Sequence, residues 1–268
     1  MVQIDLSDKN VLITGGTKGI GYAAARNLAR AGAQLFLTFK WGSADEDEIK
    51  RDFASLDAPE PVFIQADVSV SEDTETVMKE IAERAGGIDI FISNVGFASK
   101  AESLSDYKKR SFFKTLEYSS WPIIEYTRMI EKQFGQYPEY VLGISSDGPD
   151  HYYRGYDFVA ASKALLEFFG KYLSAHLAPA GSKVNIVRFG MVRTESFQLI
   201  FGDEFFEYLK KEEGVSEEML LTPEDCGKAV LALCSGLLDG INGQIINVDH
   251  GLPFRDNTMM RYIAQKGE

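Results

Sequence analysis

The sequence contains few cysteines and few prolines, and these shortages exclude several kinds of protein. Two cysteines in 268 residues, Cys226 and Cys234, are too few for a disulfide framework or a cysteine-rich metal site. We predict that both are small, buried apolar side chains and that the protein binds no metal. There are only 8 prolines, and no repeat, low-complexity stretch or linker interrupts the chain. We therefore predict a single domain over residues 1–268.

Long apolar runs and an excess of positive charge are also missing. The segment Met1–Lys9 has polar and acidic residues where a signal peptide would have an apolar core, and no later run approaches a membrane span. We therefore expect a soluble, cytoplasmic protein. With 40 acidic and 28 basic residues the formal net charge is −12, so we expect neither nucleic acid nor a membrane surface as a partner. This charge also gives no help in attracting an acidic carrier protein.

Short apolar runs rich in β-branched and aromatic residues alternate with helix-like stretches, which is typical of βαβ units. The alternation predicts an α/β fold of the Rossmann type, with a doubly wound, seven-stranded parallel sheet and helices on both faces. The helix-like stretches include Ile20–Ala31, Asp73–Ala85, Tyr107–Phe134 and Ala160–Leu177. The predicted strands are Val11–Thr14, Leu35–Phe39, Val62–Gln65, Ile88–Ser93, Tyr140–Ile144, Val184–Arg188 and Gln244–Val248.

One segment, at about residues 195–221, breaks this alternation because it is rich in Phe, Glu and Lys. It follows the sixth predicted strand, at the carboxyl edge of the sheet where ligands of such folds bind. We predict that it covers a substrate. An ordinary amphipathic surface helix is the alternative.

A glycine-rich turn, Thr14-Gly15-Gly16-Thr17-Lys18-Gly19-Ile20-Gly21, joins the first predicted strand directly to the first predicted helix. Closely spaced glycines let the backbone approach a pyrophosphate, and the amide groups at the helix start can hold its charge. The turn therefore predicts a dinucleotide site.

The spacing T-G-x-x-x-G-x-G resembles the short-chain dehydrogenase/reductase family, and the likeness runs over nearly the full length of the chain. Asp67-Val68 stands where that family contacts adenine, and Ser93-Asn94-Val95-Gly96 resembles its N-N-A-G strand end, with Ser in place of the first Asn. The resemblance implies a nicotinamide dinucleotide. The expected cofactor contacts are Gly15, Thr17, Lys18, Gly19, Ile20, Gly21, Phe39, Lys40, Asp67, Val68, Asn94, Gly96, Lys163, Gly190, Val192 and Thr194.

The end of the second predicted strand indicates which nicotinamide is used. NAD-binding members place an acid there to bind the ribose hydroxyls, but this chain has Phe39 followed by Lys40. Lys18, in the glycine turn, is a second cation that the family resemblance places beside a 2′-phosphate. We therefore predict NADPH as the cofactor.

The family works with Ser, Tyr and Lys, and its Tyr and Lys are normally spaced Y-x-x-x-K. Here the lysine is Lys163, but Val159 stands four residues before it and cannot donate a proton. Hydride transfer leaves negative charge on an oxygen, which a phenol must neutralise or hydrogen-bond. Tyr156, seven residues before Lys163, is the predicted substitute because seven steps return to nearly the same helix face. Ser146, at the end of the fifth strand, is the predicted substrate-orienting hydroxyl.

The spacing Y-x6-K resembles the enoyl-acyl carrier protein reductases, a branch of the same superfamily. Asn94-Val95-Gly96-Phe97-Ala98 and Gly190-Met191-Val192-Arg193-Thr194 resemble the S-x-G-F-A and G-x-I-R-T motifs of that branch. Glu117 stands where ordinary members have the Asn of a proton relay, which the enoyl branch also lacks. The resemblance implies reduction of a C=C bond conjugated to a carbonyl.

We therefore predict an NADPH-dependent reductase of a small α,β-unsaturated carbonyl compound, such as an acyl thioester. A carbonyl reductase of the short-chain family and a catalytically silent NADPH-binding scaffold are the alternatives. Under all three we expect a homo-oligomer, tetramer or dimer, because family members assemble through the helix that carries Leu165, Phe168, Phe169, Tyr172 and Leu173.

Overall fold

A seven-stranded, fully parallel sheet organises the part of the chain that the computed structural model describes, residues 4–41, 44–194, 205, 207–208, 211 and 219–255. The strand order is β3-β2-β1-β4-β5-β6-β7, so the chain reverses its direction of winding between β1 and β4. This is the predicted Rossmann-type fold, which is confirmed. The strands are β1 (Asn10–Thr14), β2 (Gln34–Phe39), β3 (Val62–Gln65), β4 (Ile90–Ser93), β5 (Tyr140–Ser146), β6 (Lys183–Phe189) and β7 (Ile245–Val248).

Helices follow the strands, as expected for βαβ units. Three of them, over Glu46–Ser55, Pro223–Leu233 and Leu252–Arg255, were not among the stretches predicted above. The described helices are α1 (Gly19–Arg30), α2 (Glu46–Ser55), α3 (Ser71–Ala82), α4 (Lys109–Ser119), α5 (Pro122–Phe134), α6 (Asp157–Leu177), α7 (Pro223–Leu233) and the short α8 (Leu252–Arg255).

The central strands are apolar on both faces, and alternate residues enter two separate cores. In β1, Val11 and Ile13 pack with α1, α2 and α7, whereas Leu12 packs with α3, α5 and α6. The same alternation holds in β2, where Leu35 and Leu37 take the first side and Phe36 takes the second. Because successive strand residues point to opposite faces, these apolar runs are buried by helices on both sides of the sheet.

The predicted helix over Tyr107–Phe134 is wrong as one element. The structure has two helices there, and α4 ends at Ser119 while α5 begins at Pro122. Proline cannot donate the backbone hydrogen bond that a helix interior needs, but it is well suited to the first helical position. Ser120, at the junction, donates its hydroxyl to the carbonyl of Ser162 at 2.8 Å and so ties the break to α6.

Three other predictions concern the cysteines, membrane spans and the segment 195–221. Cys226 and Cys234 are both buried free thiols, as predicted. Among the described helices, none is both long enough and apolar enough to cross a membrane. The segment 195–221, predicted to cover the substrate, lies almost wholly outside the described residues.

Helix α1, which begins at the glycine turn, packs closely against α7 through a glycine. A Cβ added at Gly227 would lie 2.3 Å from the carbonyl oxygen of Ala23 and 2.4 Å from Nδ2 of Asn27. That amide nitrogen donates to the Ala23 carbonyl at 2.9 Å and to Glu224 at 3.2 Å. The packing of α1 therefore depends on the absence of a side chain at position 227.

We expect Gly227→Ala to lower the free energy of unfolding by about 1–3 kcal/mol, the usual cost of overpacking a well-filled contact. Alanine is otherwise the better helix former, so the sign of the effect tests the contact itself. Urea denaturation is the measurement. Gly86→Ala is the control, since nothing lies within 4 Å of its added Cβ, and its effect should stay within about 0.5 kcal/mol. Indistinguishable unfolding curves for the two variants would contradict this packing.

Candidate active site

The predicted site residues come together at the carboxyl edge of the sheet, on both sides of the reversal between β1 and β4. The glycine turn follows β1, Asn94 follows β4, and Ser146 ends β5. Crevices at such reversal points bind the ligands of open α/β sheets, because the loops on the two sides diverge there.

The glycine turn has the shape that a pyrophosphate requires. Gly15 and Gly19 have φ of +65° and +54°, and a Cβ at Gly21 would lie 2.4 Å from the carbonyl oxygen of Gly15. No acidic side chain lies in the first turn of α1, whose first amides have no carbonyl partner within the helix. The methyl of Thr194, after β6, would be 4.0 Å from a Cβ at Gly19. These groups fit a bound dinucleotide, with Thr17, Lys18 and Ile20 in the same turn.

The backbone and side-chain amides of Asn94 make hydrogen bonds within the protein. Its side-chain amide donates to the carbonyls of Thr14 at 3.0 Å and of Gly15 at 3.1 Å. Its own backbone amide donates to the Thr14 hydroxyl at 3.0 Å. Asn94 therefore joins the ends of β4 and β1 and fixes the start of the glycine turn.

The predicted adenosine end lies where β2 and β3 finish. Lys40 forms an ion pair with the Asp67 carboxylate, and its ammonium also contacts the hydroxyl of Tyr118. Tyr118 donates to the same carboxylate at 2.8 Å. Burial opposes the charge on Asp67, but hydrogen bonds from Lys40, Ser69 and Tyr118 overcome it and lower the pKa of Asp67 to about 2. The Lys40 charge therefore already has an internal partner.

Lys40 also lies between two aromatic rings. Its Nζ is 4.6 Å from the ring centre of Trp41 and 4.7 Å from that of Tyr118. Phe39 is half-buried, and its carbonyl accepts the backbone amide of Ala66 at 2.8 Å. Val68, next to Asp67, is buried in the core. Tyr118 was not among the predicted site residues, because only the fold brings the end of α4 to this strand edge.

Tyr156 and Ser146, the two hydroxyl-bearing residues of the predicted site, lie side by side. The Tyr156 hydroxyl is 3.2 Å from Oγ of Ser146, and Val159 is 6 % exposed, packed into the interior. Burial raises the pKa of the Tyr156 phenol, so this group stays protonated at neutral pH. A Cβ at Gly148 would lie 2.6 Å from the Tyr156 ring, so the glycine leaves room for that ring.

Tyr156 is not inside the helix, which corrects one premise of the sequence argument. Helix α6 begins at Asp157, and Tyr156 is the capping residue before it, with φ −101° and ψ 3°. The seven-residue spacing still brings it beside Ser146, but the loop after β5 as well as the helix decides where its hydroxyl lies.

Lys163 is buried, 7 % exposed, beneath the crevice. Its Nζ donates to the carbonyl of Ile144 at 2.6 Å and would lie 3.7 Å from a Cβ at Gly96. Burial lowers the pKa of Lys163 to about 8, and the nearby Glu167 opposes that shift. The ammonium therefore lies close to Gly96, in the segment that follows β4.

Gly190 and Val192 follow β6 and face different surroundings. The amide of Gly190 donates to the Val248 carbonyl at 3.0 Å, and a Cβ there would lie 2.9 Å from Asp249. Val192 is buried and forms a β-bridge with Leu221, so its side chain belongs to the core. The backbone of Val192, and not its side chain, is therefore the part that could contact a cofactor.

Two buried charged residues behind the site, Glu167 and Arg188, were missed by the sequence argument. Each interrupts an otherwise apolar stretch, Glu167 in α6 and Arg188 in β6. A charged residue within an apolar stretch is the sequence signal that could have predicted this ion pair, because buried charges almost always have a partner of opposite charge.

Comparisons with known proteins show which enzyme family this chain resembles. The family model described as enoyl-(acyl carrier protein) reductase matches residues 15–253. The enoyl-[acyl-carrier-protein] reductase [NADH] of Aquifex aeolicus is 27% identical over 254 residues, which cover 92% of each chain. The 1-cyclohexenylcarbonyl-CoA reductase of Streptomyces collinus is 25% identical over 247 residues, which cover 90% of this chain and 85% of the relative.

A solved structure shares the fold. It is a short-chain dehydrogenase of Burkholderia cenocepacia in complex with NADP, which superposes with a TM-score of 0.80 at 24% identity and covers 94% of this chain and 100% of the other. The match of the family model over most of the chain, together with the glycine turn and the parallel sheet, gives the assignment. The protein is an NAD(P)H-dependent oxidoreductase and belongs to the enoyl-(acyl carrier protein) reductase family of short-chain dehydrogenases/reductases.

Proposed function

We propose that this protein is an NADPH-dependent reductase of a carbon–carbon double bond conjugated to a carbonyl, with enoyl thioesters as its substrate class. The reduced nicotinamide supplies a hydride to the β-carbon of the substrate. Tyr156 donates a hydrogen bond to the carbonyl oxygen, on which negative charge develops as the enolate forms. A proton at the α-carbon then completes the saturated product.

The observation that carries this proposal is the position of the Tyr156 hydroxyl. It lies 3.2 Å from Ser146 at the crevice, whereas Val159 is packed into the interior and leaves no phenol at the ordinary position. The raised pKa of Tyr156 keeps the phenol in its donor form. Both features suit a group that stabilises a developing oxyanion.

The displacement favours C=C over C=O reduction for a geometric reason. When a carbonyl is reduced, hydride reaches the carbon that bears the oxygen, so the donor lies close to the reacting carbon. When an enoyl group is reduced, hydride reaches the β-carbon, two bonds from the carbon that bears the oxygen. Tyr156 caps α6, and its carbonyl still accepts the amide of Ala160 at 2.8 Å, so three residues at about 1.5 Å each move the phenol's attachment by about 4.5 Å. This displacement is of the same order as the one that the longer conjugated system requires.

Lys163 and Ser146 are the other two residues of the proposed catalytic group, beside Tyr156. The Lys163 ammonium, which lies close to Gly96, binds the nicotinamide ribose. Ser146 holds the Tyr156 hydroxyl and helps to orient the substrate carbonyl. A Ser–Tyr pair could equally hydrogen-bond the oxygen of a ketone while hydride reaches its carbon. A carbonyl reductase is therefore the second candidate function.

For the cofactor we propose NADPH, bound through Lys18 in the glycine turn and Lys40 after β2. The Aquifex relative is named for NADH and the Burkholderia structure holds NADP, so the relatives leave the choice open. Lys40 must share its ammonium between Asp67 and a 2′-phosphate, or exchange one for the other. The absence of an acid at Phe39 removes the usual partner of an unphosphorylated ribose.

For the substrate's carrier we propose coenzyme A. The net charge of −12 disfavours an acidic carrier protein, and the Streptomyces relative is named for a coenzyme A thioester. Near the site, the three exposed cations Lys108, Lys109 and Arg110 follow Tyr107. The Tyr107 hydroxyl donates to Asp157, beside Tyr156, at 2.8 Å. These cations suit the phosphates of coenzyme A.

We further propose that residues 1–268 form one cytoplasmic domain, that the segment 195–221 covers the substrate, and that the protein is a homo-oligomer. On α6, Phe168 and Tyr172 are more than half exposed and their ring centres are 4.5 Å apart. Two exposed aromatic rings in contact on one helix face suit an interface between copies.

We expect kcat/KM with NADPH to exceed that with NADH by roughly ten- to a hundredfold, the size of one charge-assisted phosphate contact. Lys40→Ala should remove most of this preference by weakening NADPH use alone. Lys50→Ala is the matched control, since Lys50 forms a surface ion pair with Glu60 at 3.0 Å, and should leave the ratio unchanged. Equal efficiencies with the two cofactors in the wild type would rule out the preference.

We expect Tyr156→Phe to lower kcat by roughly 10²–10⁴, the usual effect of removing a positioned donor. The affinity for NADPH, measured by fluorescence titration, should change little. Tyr152→Phe and Tyr153→Phe are the controls, because Tyr152 is 82 % exposed and the Tyr153 hydroxyl is bonded to Asp147 at 2.7 Å. A larger loss in either control than in Tyr156→Phe would show that the donor is assigned wrongly.

We expect a short 2-enoyl coenzyme A thioester to oxidise NADPH and to yield the saturated thioester, identified by mass spectrometry. The matching 3-keto thioester is the comparison. A hydroxy product from the keto compound alone would overturn the proposal in favour of a carbonyl reductase. If NADPH binds but neither compound oxidises it, the catalytically silent scaffold is the better description.

A further inference from the structure

A buried ion pair lies directly behind the candidate active site. Arg188 of β6 binds Glu167 of α6 through two parallel hydrogen bonds, Nε to Oε1 and Nη2 to Oε2, each 2.6 Å long. The two side chains are only 12% and 7% exposed. Such a bidentate pair fixes the relative position of a helix and a strand more tightly than a single contact does.

The pair also reaches the strand and the loop that carry the reacting hydroxyls. Ser145, next to Ser146 and opposite Arg188 in the β5–β6 register, donates to Oε1 of Glu167 at 2.7 Å. On its outer side the Arg188 guanidinium binds the Asp150 carboxylate. Asp150 lies in the loop between β5 and α6, which leads to Tyr156.

Glu167 is linked to Lys163 as well. The two residues are one helical turn apart on α6, both buried, and Lys163 donates to the carbonyl of Ile144, next to Ser145. The Glu167 carboxylate stabilises the charged form of Lys163 against burial. Arg188 in turn offsets part of the carboxylate's charge.

We propose that Glu167 and Arg188 are positioning residues of this active site, which together set the electrostatic field at Lys163 and hold the loop that delivers Tyr156. This inference rests on the proposed function only in that Lys163 and Tyr156 are taken as the working groups. Both act through Lys163 and the loop before Tyr156, since their side chains bind Ser145, Asp150 and each other.

The other charged groups near Lys163 do not duplicate this role. The segment after β4 that faces Lys163 carries no charge at Val95, Gly96 or Phe97, and the charged residues of the packed helix α4 are exposed. From the loop after β5 come Asp147, whose carboxylate accepts the Tyr153 hydroxyl at 2.7 Å, and the surface residue Asp150. Helix α5, which also packs on α6, carries Glu125 and the exposed Arg128, and these two form an ion pair with each other. Tyr156, the cap of α6, is a further titratable group on this side of the described structure.

The test uses two substitutions that break the same ion pair from opposite sides. If protonated Lys163 is the active form, activity is lost as the pH rises through the pKa of Lys163. Glu167→Gln removes the favourable charge and leaves Arg188, so the alkaline limb of kcat/KM should move down by about 1 pH unit. Arg188→Gln leaves the carboxylate without its cation, so the limb should move up.

The double variant Glu167→Gln/Arg188→Gln is the matched control. It removes both charges together and avoids leaving an unpaired buried ion, which is the main risk to folding in the single variants. Its alkaline limb should lie between that of Glu167→Gln and that of the wild type, because Arg188 offsets only part of the Glu167 charge. Circular dichroism and thermal melting establish that each variant is folded before its pH profile is measured.

The proposal is overturned if the two single variants move the limb in the same direction, or if Glu167→Gln leaves it in place. A purely structural ion pair would give one of these results. Asp150→Asn adds a test of the loop contact, and it should lower kcat about tenfold without moving the limb. An unchanged kcat in that variant would remove the loop from the proposal.

A second measurement tests the protonation of Lys163 without relying on the proposed reaction. The protonation of Lys163 can be followed directly by competitive acetylation across pH, with the modified lysine quantified by mass spectrometry. The same opposite shifts are expected in the labelling curves. If no enoyl thioester is reduced but the labelling curves shift as stated, the proposed function fails and the electrostatic assignment stands.

Discussion

An ammonium group buried at the floor of the crevice is the constraint on which this site depends. Removing a lysine charge from water is costly unless other groups replace the lost hydration. Here a main-chain carbonyl of β5 accepts one hydrogen bond and a carboxylate one turn along α6 supplies the opposite charge. The carboxylate is buried too, so it needs its own cation, and that cation ends at a surface carboxylate. The charges alternate in sign from the crevice to the solvent.

The displaced tyrosine required adjustments at several places. At position 159 the side chain is apolar and packed into the interior, so a phenol there would overpack its surroundings and bury its hydroxyl. At position 148 only a glycine leaves room for the relocated ring. The phenol stands at the cap of α6 instead of on its face, so the preceding loop has become part of the catalytic geometry. The relocation is a property of the whole β5–α6 connection.

The sequence was sufficient for the strands and the glycine turn, because each rests on a local pattern. Apolar runs of four to six residues located all seven strands to within two residues at either end. The contact between Ser146 and Tyr156 comes from the fold. The break at Pro122 was missed because apolar residues continue across it at helical spacing. The partner of Lys40 could not be predicted, since Asp67 comes from a different strand and Tyr118 from a helix end 78 residues away. Long-range pairings of polar groups leave no periodic trace in a sequence.

The amide of Asn94 has a consequence for binding that goes beyond its hydrogen bonds. It joins the two strand ends between which the crevice opens, and it contacts the first carbonyls of the glycine turn. The width of the crevice at its floor is therefore set when the chain folds, before any dinucleotide arrives. The entropy of ordering that turn is lost during folding and does not have to be lost again on binding, so the turn is pre-organised for its ligand. A tight grip on a pyrophosphate can thus be achieved with backbone amides and few charged side chains, which suits an acidic protein that must attract an anionic cofactor.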